Sequence, residues 1–195
     1  GTLVITLERN WGGQVHREPV ACLDVSPDGR WVASGHDVNG RYKISLWDAQ
    51  AREVRRTDIP ADAEVRDVSF SPDGARFAWV QADGKLQIAS AGSNADTTID
   101  RFAAAKEPLN RLAWSRDGSR IIASGARRLH VWDARQGGEP FGVELKSDDA
   151  NGVPPAFVEL VYTSDGKYCA TGHANGRIVI WRAADGPFLL RELRD

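Results

Sequence analysis

The chain has 195 residues, of which 25 are Lys or Arg and 27 are Asp or Glu, so that its formal charge is −2. These charges are mixed along the whole chain, which argues against a nucleic-acid-binding surface and against an acidic tail. No run approaches the roughly 18 consecutive apolar residues that cross a bilayer, and we expect no membrane association.

The two cysteines, Cys22 and Cys169, fall in different predicted strands. Their spacing resembles neither a metal-binding knuckle nor a redox pair, so we expect small, buried core residues. Unpaired cysteines are typical of a reducing compartment, and we predict a cytoplasmic protein.

The sequence begins with the end of one β-unit and then starts a complete one. Thr2–Glu8 is typical of a third strand and Trp11–Val15 of an outer strand. The complete unit opens with an apolar strand at Val20–Val25 and turns at the corner Ser26–Gly29. Ser at the first position, Pro at the second and Gly at the fourth are the preferences of a type I turn that closes a hairpin.

Three further strands complete this unit. Trp31–Gly35 follows the corner, Ile44–Asp48 alternates apolar and polar residues, and a more charged segment lies around Arg52–Arg56. Charged residues suit an outer edge strand, because they discourage pairing with another sheet. The unit is therefore predicted to be a four-stranded antiparallel meander.

The same unit recurs three more times along the chain. Its corners are Ser71–Gly74, Ser115–Gly118 and Thr163–Gly166, and the Asp residues of successive corners lie 45, 44 and 48 residues apart. The third strand recurs at Leu86–Ser90, Leu129–Asp133 and Ile178–Arg182, and the outer strand at Thr97–Phe102, Phe141–Leu145 and Phe188–Leu193. A fixed period in this range indicates a repeat array in which each unit buries its apolar faces against its neighbours.

These repeats resemble the WD-repeat β-propeller family over nearly the whole chain. The residues that carry the resemblance are the four corners, the segments Ala33–Gly35, Ala123–Gly125 and Ala170–Gly172, and the pairs Trp47–Asp48 and Trp132–Asp133. The resemblance implies an all-β fold, a β-propeller built from four-stranded antiparallel blades.

The family often joins a His before the first strand, a Ser or Thr, a turn Asp and the Trp by hydrogen bonds. His16 fits the first of these places, but Ala61, Ala105 and Val153 occupy it in the other units. The second unit has Trp79 where Ser is expected and resembles TolB-type propellers. We therefore expect a fragmentary network, with stability supplied mainly by apolar packing between blades.

The predicted boundaries divide one propeller domain into residues 1–19, 20–63, 64–108, 109–156 and 157–195. The first of these supplies only the third and outer strands of a preceding blade, so about four and a half blades are present, whereas propellers close with roughly four to eight. Members of the family most often have seven or more blades. We expect an incomplete ring that another chain or an N-terminal segment completes.

The sequence lacks motifs that would indicate a catalytic, phosphate-binding or metal-binding site. It has neither a Gly-x-Ser-x-Gly elbow nor a glycine-rich phosphate loop before a helix, and its four histidines form no close pair. The recurring Asp28, Asp73, Asp117 and Asp165 are interpreted as turn-making residues. We expect no catalytic, cofactor-binding or metal-binding residues.

The remaining candidates lie on the rim formed by the loops that enter each first strand and the turns between second and third strands. Arginine is favoured at interface anchors. The predicted partner-binding residues are Arg41, Arg127, Arg128 and Arg177, the turn residues His36 and His173, and, at the channel mouth, Arg66 and Arg111.

The leading interpretation is a non-catalytic protein-protein interaction module, a scaffold, sensor or regulatory propeller that binds a protein or peptide on this rim. The degenerate repeats and the Ala, Arg and Gly content suggest the C-terminal part of a larger bacterial signalling or effector protein. The alternative is a ligand-binding or enzymatic propeller in which Arg66, Arg111 and His173 contact a small molecule in the central channel.

Overall fold

The computed structural model describes residues 10–11, 14–15, 19–50, 53–92, 100–144, 156–182 and 188–193. Within these residues the fold is all-β, with four four-stranded antiparallel sheets and one two-stranded hairpin. The described residues contain no helix long and apolar enough to span a membrane.

Each four-stranded sheet is one blade, and its strands follow one another in chain order. The hairpin is β1 (Asn10–Trp11) and β2 (Gln14–Val15), and the first blade is β3 (Val20–Val25), β4 (Trp31–Val38), β5 (Arg41–Asp48) and β6 (Glu53–Ala61). The second blade is β7 (Val65–Phe70), β8 (Arg76–Gln81), β9 (Leu86–Ser90) and β10 (Asp100–Arg101). The third is β11 (Arg111–Trp114), β12 (Arg120–Ser124), β13 (Arg128–Asp133) and β14 (Phe141–Glu144), and the fourth is β15 (Phe157–Tyr162), β16 (Tyr168–His173), β17 (Ile178–Arg182) and β18 (Phe188–Leu193).

The corner between the first two strands of a blade has the predicted turn geometry. In the first blade the backbone N–H of Gly29 donates to the carbonyl of Ser26 at 2.8 Å, and Gly29 has a φ of 70°. The hydroxyl of Ser26 donates to Asp28 at 2.6 Å and accepts from the N–H of Trp31 at 2.8 Å. The corresponding Ser or Thr to Asp bond recurs in the other three corners, at 2.6 to 2.7 Å.

Two details of the predicted strands differ from the structure. In the predicted outer strand Trp11–Val15, the described residues belong to two short strands, β1 and β2, that pair with each other. Strand β6 continues beyond Arg56 to Ala61, and it tolerates Pro60 because an outer strand has a free edge. The predicted strand Thr2–Glu8 and His16 lie outside the described residues.

The core lies between blades. Three apolar clusters fill the spaces between the first and second, second and third, and third and fourth blades. Trp79, Trp132 and Trp181 are fully buried in them, whereas Trp47 is only half-buried.

The blades contact each other in sequence through their innermost strands. Strand β3 packs against β7, β7 against β11, and β11 against β15. Among the described strands, no comparable contact joins β15 back to β3. The four blades therefore form an incomplete ring with two ends.

Candidate protein-interaction surfaces

The incomplete ring of four blades, called the arc below, exposes three apolar side chains of β3 at its first end. Val20, Leu23 and Val25 are 52%, 62% and 47% exposed. They lie six, three and one residues before the corner residue Ser26. We call these three residues the first end face.

The same three positions are buried or half-buried in the other blades. The residues there are Val65, Val68 and Phe70 in the second blade, Leu109, Leu112 and Trp114 in the third, and Phe157, Leu160 and Tyr162 in the fourth. Tyr162 is half-buried and the other eight are at most 7% exposed. In each case the preceding blade covers them, so the first end face has the register of a blade interface without a described partner.

The other end of the arc is also apolar. Val158, Val161 and Ile178 of the fourth blade are 51%, 50% and 45% exposed, and we call them the last end face. Ile178 begins the third strand, where the matching residues Ile44, Leu86 and Leu129 are at most 1% exposed. The arc thus ends in an uncovered apolar surface on both sides.

The prediction that His36 and His173 are turn residues is wrong. Both are buried at the ends of their second strands, β4 and β16, two residues after a hydroxyl on the same strand face. His36 Nε2 lies 2.8 Å from Ser34 Oγ, and His173 Nε2 lies 3.0 Å from Thr171 Oγ1.

A tryptophan completes each of these pairs. Trp47 Nε1 donates to Ser34 Oγ and Trp181 Nε1 donates to Thr171 Oγ1, both at 3.0 Å. The first and fourth blades therefore contain a Trp–hydroxyl–His network in which the second strand supplies the His. Both histidines are buried within these networks, and the small-molecule alternative loses His173 as an accessible ligand contact.

The four predicted contact arginines of the rim differ in exposure. Arg177 is only 3% exposed and its backbone closes the turn to His173, so it does not present its side chain as an open rim contact. Arg41, Arg127 and Arg128 are exposed. Arg128 lies 3.6 Å from Glu144.

The two channel-mouth arginines have separate surroundings. Arg66 pairs with Glu64 at 3.0 Å, and Arg111 donates to the carbonyl of Asn110 at 3.1 Å. Arg111 also lies close enough to Asp67 to lower the pKa of that carboxyl.

The second and third blades replace the Trp–hydroxyl–His network with other polar pairs, which the sequence reasoning missed. In the second blade Gln81 donates to Gln87 at 2.9 Å and accepts from the N–H of Ala63 at 3.0 Å. In the third blade His130 Nε2 lies 2.7 Å from Glu107 Oε1. The signal available was positional: Gln81 lies where His36 does, two residues beyond the place of the hydroxyl.

Carboxylates of the innermost strands join neighbouring blades. Asp24 accepts from the N–H of Phe70 at 2.8 Å, and Asp67 accepts from the N–H of Leu112 at 3.0 Å. Burial raises the pKa of Asp67 to about 6, although the Leu112 bond and the Arg111 charge lower it. The Glu159 carboxylate raises it further, so charges of three blades meet near the channel.

The corner carboxylates confirm their interpretation as turn-making residues. The hydroxyl of the corner Ser or Thr, followed by backbone N–H donors, lowers the pKa of Asp28, Asp73 and Asp165. At Asp117 a second hydroxyl, from Ser119, adds to this and lowers the pKa to about 2.

The cysteines are unpaired in the structure, and burial raises the pKa of both thiols to about 12. Such thiols are poor nucleophiles and poor metal ligands. The side chains that the structure describes include no group of three or more His, Cys, Asp or Glu residues arranged to hold a metal ion.

The family model described as "WD domain, G-beta repeat" matches residues 5–48 and 96–133. The chain is 26% identical to the Arabidopsis thaliana WD repeat-containing protein WDS homolog, over 71% of this chain and 25% of that protein. It is 28% identical to human Echinoderm microtubule-associated protein-like 3, over 71% of this chain and 16% of that protein. It is 25% identical to Drosophila melanogaster Actin-interacting protein 1, over 85% of this chain and 26% of that protein.

The chain therefore spans about a quarter or less of the length of these relatives. Among solved structures, the β-propeller domain of Myceliophteria thermophila Cps50 (Swd1) matches with a TM-score of 0.72 at 19% identity, over 92% of this chain and 59% of that chain. The matched repeats, the relatives and the four radially packed sheets together support a WD-repeat β-propeller.

Proposed function

We propose that the chain is a non-catalytic protein-interaction module whose two end faces bind further β-blades and whose rim binds a protein or peptide. The observation that carries this proposal is the first end face. At three fixed register positions, the residues of the first blade are exposed, whereas eight of the nine residues in the second, third and fourth blades are buried and Tyr162 is half-buried.

The free energy of burying apolar side chains favours a binding partner on both end faces. Burying a side chain of the size of Val, Leu or Ile stabilises a contact by about 1.5 to 3 kcal/mol. Two surfaces of three such residues each are a large apolar area for a chain of this size to leave in water. Blades of the same register would cover them with the packing already present between the described blades.

The occupant we propose is another chain or a segment N-terminal to this one, because either can supply in-register blades. The relatives are much longer than this chain, one of them is named a WD repeat-containing protein, and together they support a protein-interaction propeller. On the rim, Arg41, Arg127 and Arg128 are the accessible members of the predicted contact set.

A cytoplasmic location and a place in a larger bacterial signalling or effector protein remain proposals. The two unpaired cysteines, one buried and one half-buried, support a reducing compartment. The bacterial source rests on composition and repeat degeneracy alone, and the relatives named above come from a plant, a human and a fly.

The end faces can be tested with the isolated chain. We expect the 21.3 kDa chain to self-associate with rising concentration and to bind a hydrophobic dye, because the end faces are uncovered. Leu23→Asp and Val161→Asp should each reduce the average mass in sedimentation and reduce dye binding. Phe141→Asp is the matched control, since Phe141 is 58% exposed on the outer strand β14 and away from both end faces.

A folded 21.3 kDa monomer at all concentrations, with no dye binding, would contradict the proposed end-face interaction. An equal effect of Phe141→Asp would show that general surface hydrophobicity, and not the end faces, drives association. A metabolite thermal-shift screen separates the proposal from the small-molecule alternative, which predicts stabilisation by a ligand that Arg111→Ala abolishes.

A further inference from the structure

The third blade has a cleft beside the turn between its second and third strands, and this turn differs from the matching turns of the other blades. It has a volume of about 450 Å³ and lies between the loop that enters β11 and the turn between β12 and β13. The lining residues are Lys106, Glu107, Ala126, Arg127, Arg128, His130 and Glu144. We call it the blade-three cleft.

In the other three blades this turn contains its own polar acceptor. Asp37 accepts from the N–H of Gly40 at 2.9 Å, Asp83 from that of Lys85 at 3.1 Å, and Asn175 from that of Arg177 at 3.1 Å. These side chains place a carboxylate or amide at the rim and stabilise the turn locally.

The third blade supplies the acceptor from a different loop. Its turn is Ala126–Arg127–Arg128, and Glu107 reaches across to accept from the N–H groups of Ala126 at 2.7 Å and Arg127 at 3.0 Å. The other oxygen of Glu107 lies 2.7 Å from His130 Nε2. The turn is therefore stabilised by the Glu107 carboxylate of another loop, and its own side chains include the two arginines Arg127 and Arg128.

The loop that carries Glu107 is itself held tightly. The N–H of Ala105 donates to the carbonyl of Gly84 at 2.9 Å, and a Cβ at Gly84 would collide with the backbone oxygens of Ala105 and Glu107. Gly125 is equally crowded, since a Cβ there would lie 2.5 Å from the Glu107 carboxylate. The cleft is preformed, and a ligand need not order it.

The charged side chains that line the cleft differ in the partners described for them. Glu107 is engaged by two backbone donors and His130, and Glu144 lies 3.6 Å from Arg128. Lys106 and Arg127 are exposed, and the ion pairs described for this part of the chain include neither of them. The three cations Lys106, Arg127 and Arg128 outnumber the two carboxylates, so the net charge of the lining favours an anionic ligand.

We propose that the blade-three cleft binds an acidic peptide segment of a protein partner, with a Glu or Asp side chain between Lys106 and Arg127. A planar guanidinium and an ammonium on either side of one carboxylate suit charge-assisted hydrogen bonds. The cleft has room for one or two side chains. Two cations flanked by Glu107 and Glu144 do not form the continuous basic stripe that a nucleic-acid backbone requires.

This inference deepens the proposed rim function and is tested independently of the end faces. The probe is a fluorescently labelled peptide with several Glu residues among apolar ones, and its counterpart with Gln at every Glu position, measured by fluorescence anisotropy at low salt. We expect the Glu peptide to bind and the Gln peptide to bind at least about tenfold more weakly.

Two substitutions of opposite effect probe the cleft. Lys106→Glu with Arg127→Glu should lower the affinity for the Glu peptide at least about tenfold, because two attractive charges become repulsive. Glu144→Gln should raise that affinity severalfold, since it removes a negative charge and frees Arg128. A substitution that merely damages the fold would not tighten binding.

Arg116→Glu is the charge-matched control, because Arg116 is exposed at a corner on the opposite rim. If it weakens binding as much as Arg127→Glu does, or if the Gln peptide binds equally well, the proposal is wrong. Tighter binding of single-stranded oligonucleotide through the same residues would also overturn it. If the peptide fails to bind while end-face association persists, the cleft proposal fails and the end-face proposal stands.

Discussion

Asp67 Oδ2 accepts a hydrogen bond from the backbone N–H of Leu112 at 3.0 Å, and this bond joins the innermost strands of the second and third blades. A second bond, from the N–H of Val68 at 3.0 Å, fixes the other oxygen of the same carboxylate. Burial outweighs both bonds and raises the pKa of Asp67 to about 6. The carboxylate thus aligns two blades but is costly to ionise.

Asp67 should make stability depend on pH in one direction. A carboxyl whose pKa is higher in the folded chain stabilises the fold fully below its unfolded pKa, and this contribution is lost as pH rises through the folded pKa. We expect the free energy of unfolding of the wild type, minus that of Asp67→Asn, to fall by about 1 to 2 kcal/mol between about pH 4 and pH 6, after allowance for partial exposure. Urea denaturation at successive pH values measures this difference, and a constant or rising difference would contradict the assignment.

Asp117 should act in the opposite direction. Its pKa is lowered to about 2 by hydrogen bonds from Ser115 and Ser119, so its contribution is present above its unfolded pKa of about 4 and is lost as pH falls towards about 2. Asp117→Ala should cost about 1 kcal/mol at neutral pH and remove this acid dependence. Thermal unfolding between about pH 2 and pH 7 tests it, with Asp62→Ala as a control at an exposed ion pair, and the account is wrong if both variants behave alike.

Thr171 should be required for its hydroxyl and not only for its shape. Thr171→Val keeps the volume but leaves the buried N–H of Trp181 without its acceptor, which should lower the free energy of unfolding by about 1 to 3 kcal/mol. Thr171→Ser keeps the hydroxyl and should cost clearly less. Chemical denaturation followed by tryptophan fluorescence compares the two, and equal losses would show that the hydrogen bonds contribute little.

The repeat period and the corner motif were sufficient to predict the blades, because both depend on local residue types. The type I corner at Ser26–Gly29 and the burial of Trp132 needed no knowledge of the neighbouring blade. The incomplete ring was also predictable, since the sequence supplies only about four and a half blades.

The polar network was harder to predict. His36 follows Ser34 by two residues in one strand, and the alternation of side chains places both on the same face, so its burial could have been inferred. Glu107 could not be identified in this way, because its role depends on a shortened turn in β12–β13 and on contact between two loops that are distant in sequence. The rim is the part of a repeat fold where such loop contacts decide the chemistry.

The central claim, that further blades cover the ends of the arc, is tested most directly by the accessibility of Val161 in the protein expressed in its own cells with its natural partners. Val161 and Phe141 are similarly exposed in this chain, at 50% and 58%. Thiol labelling of Val161→Cys should be at least about tenfold slower than that of Phe141→Cys, because only Val161 lies in a blade interface. The native Cys22 and Cys169 have raised pKa values of about 12 and should contribute little background. Equal labelling rates at the two positions would contradict the claim.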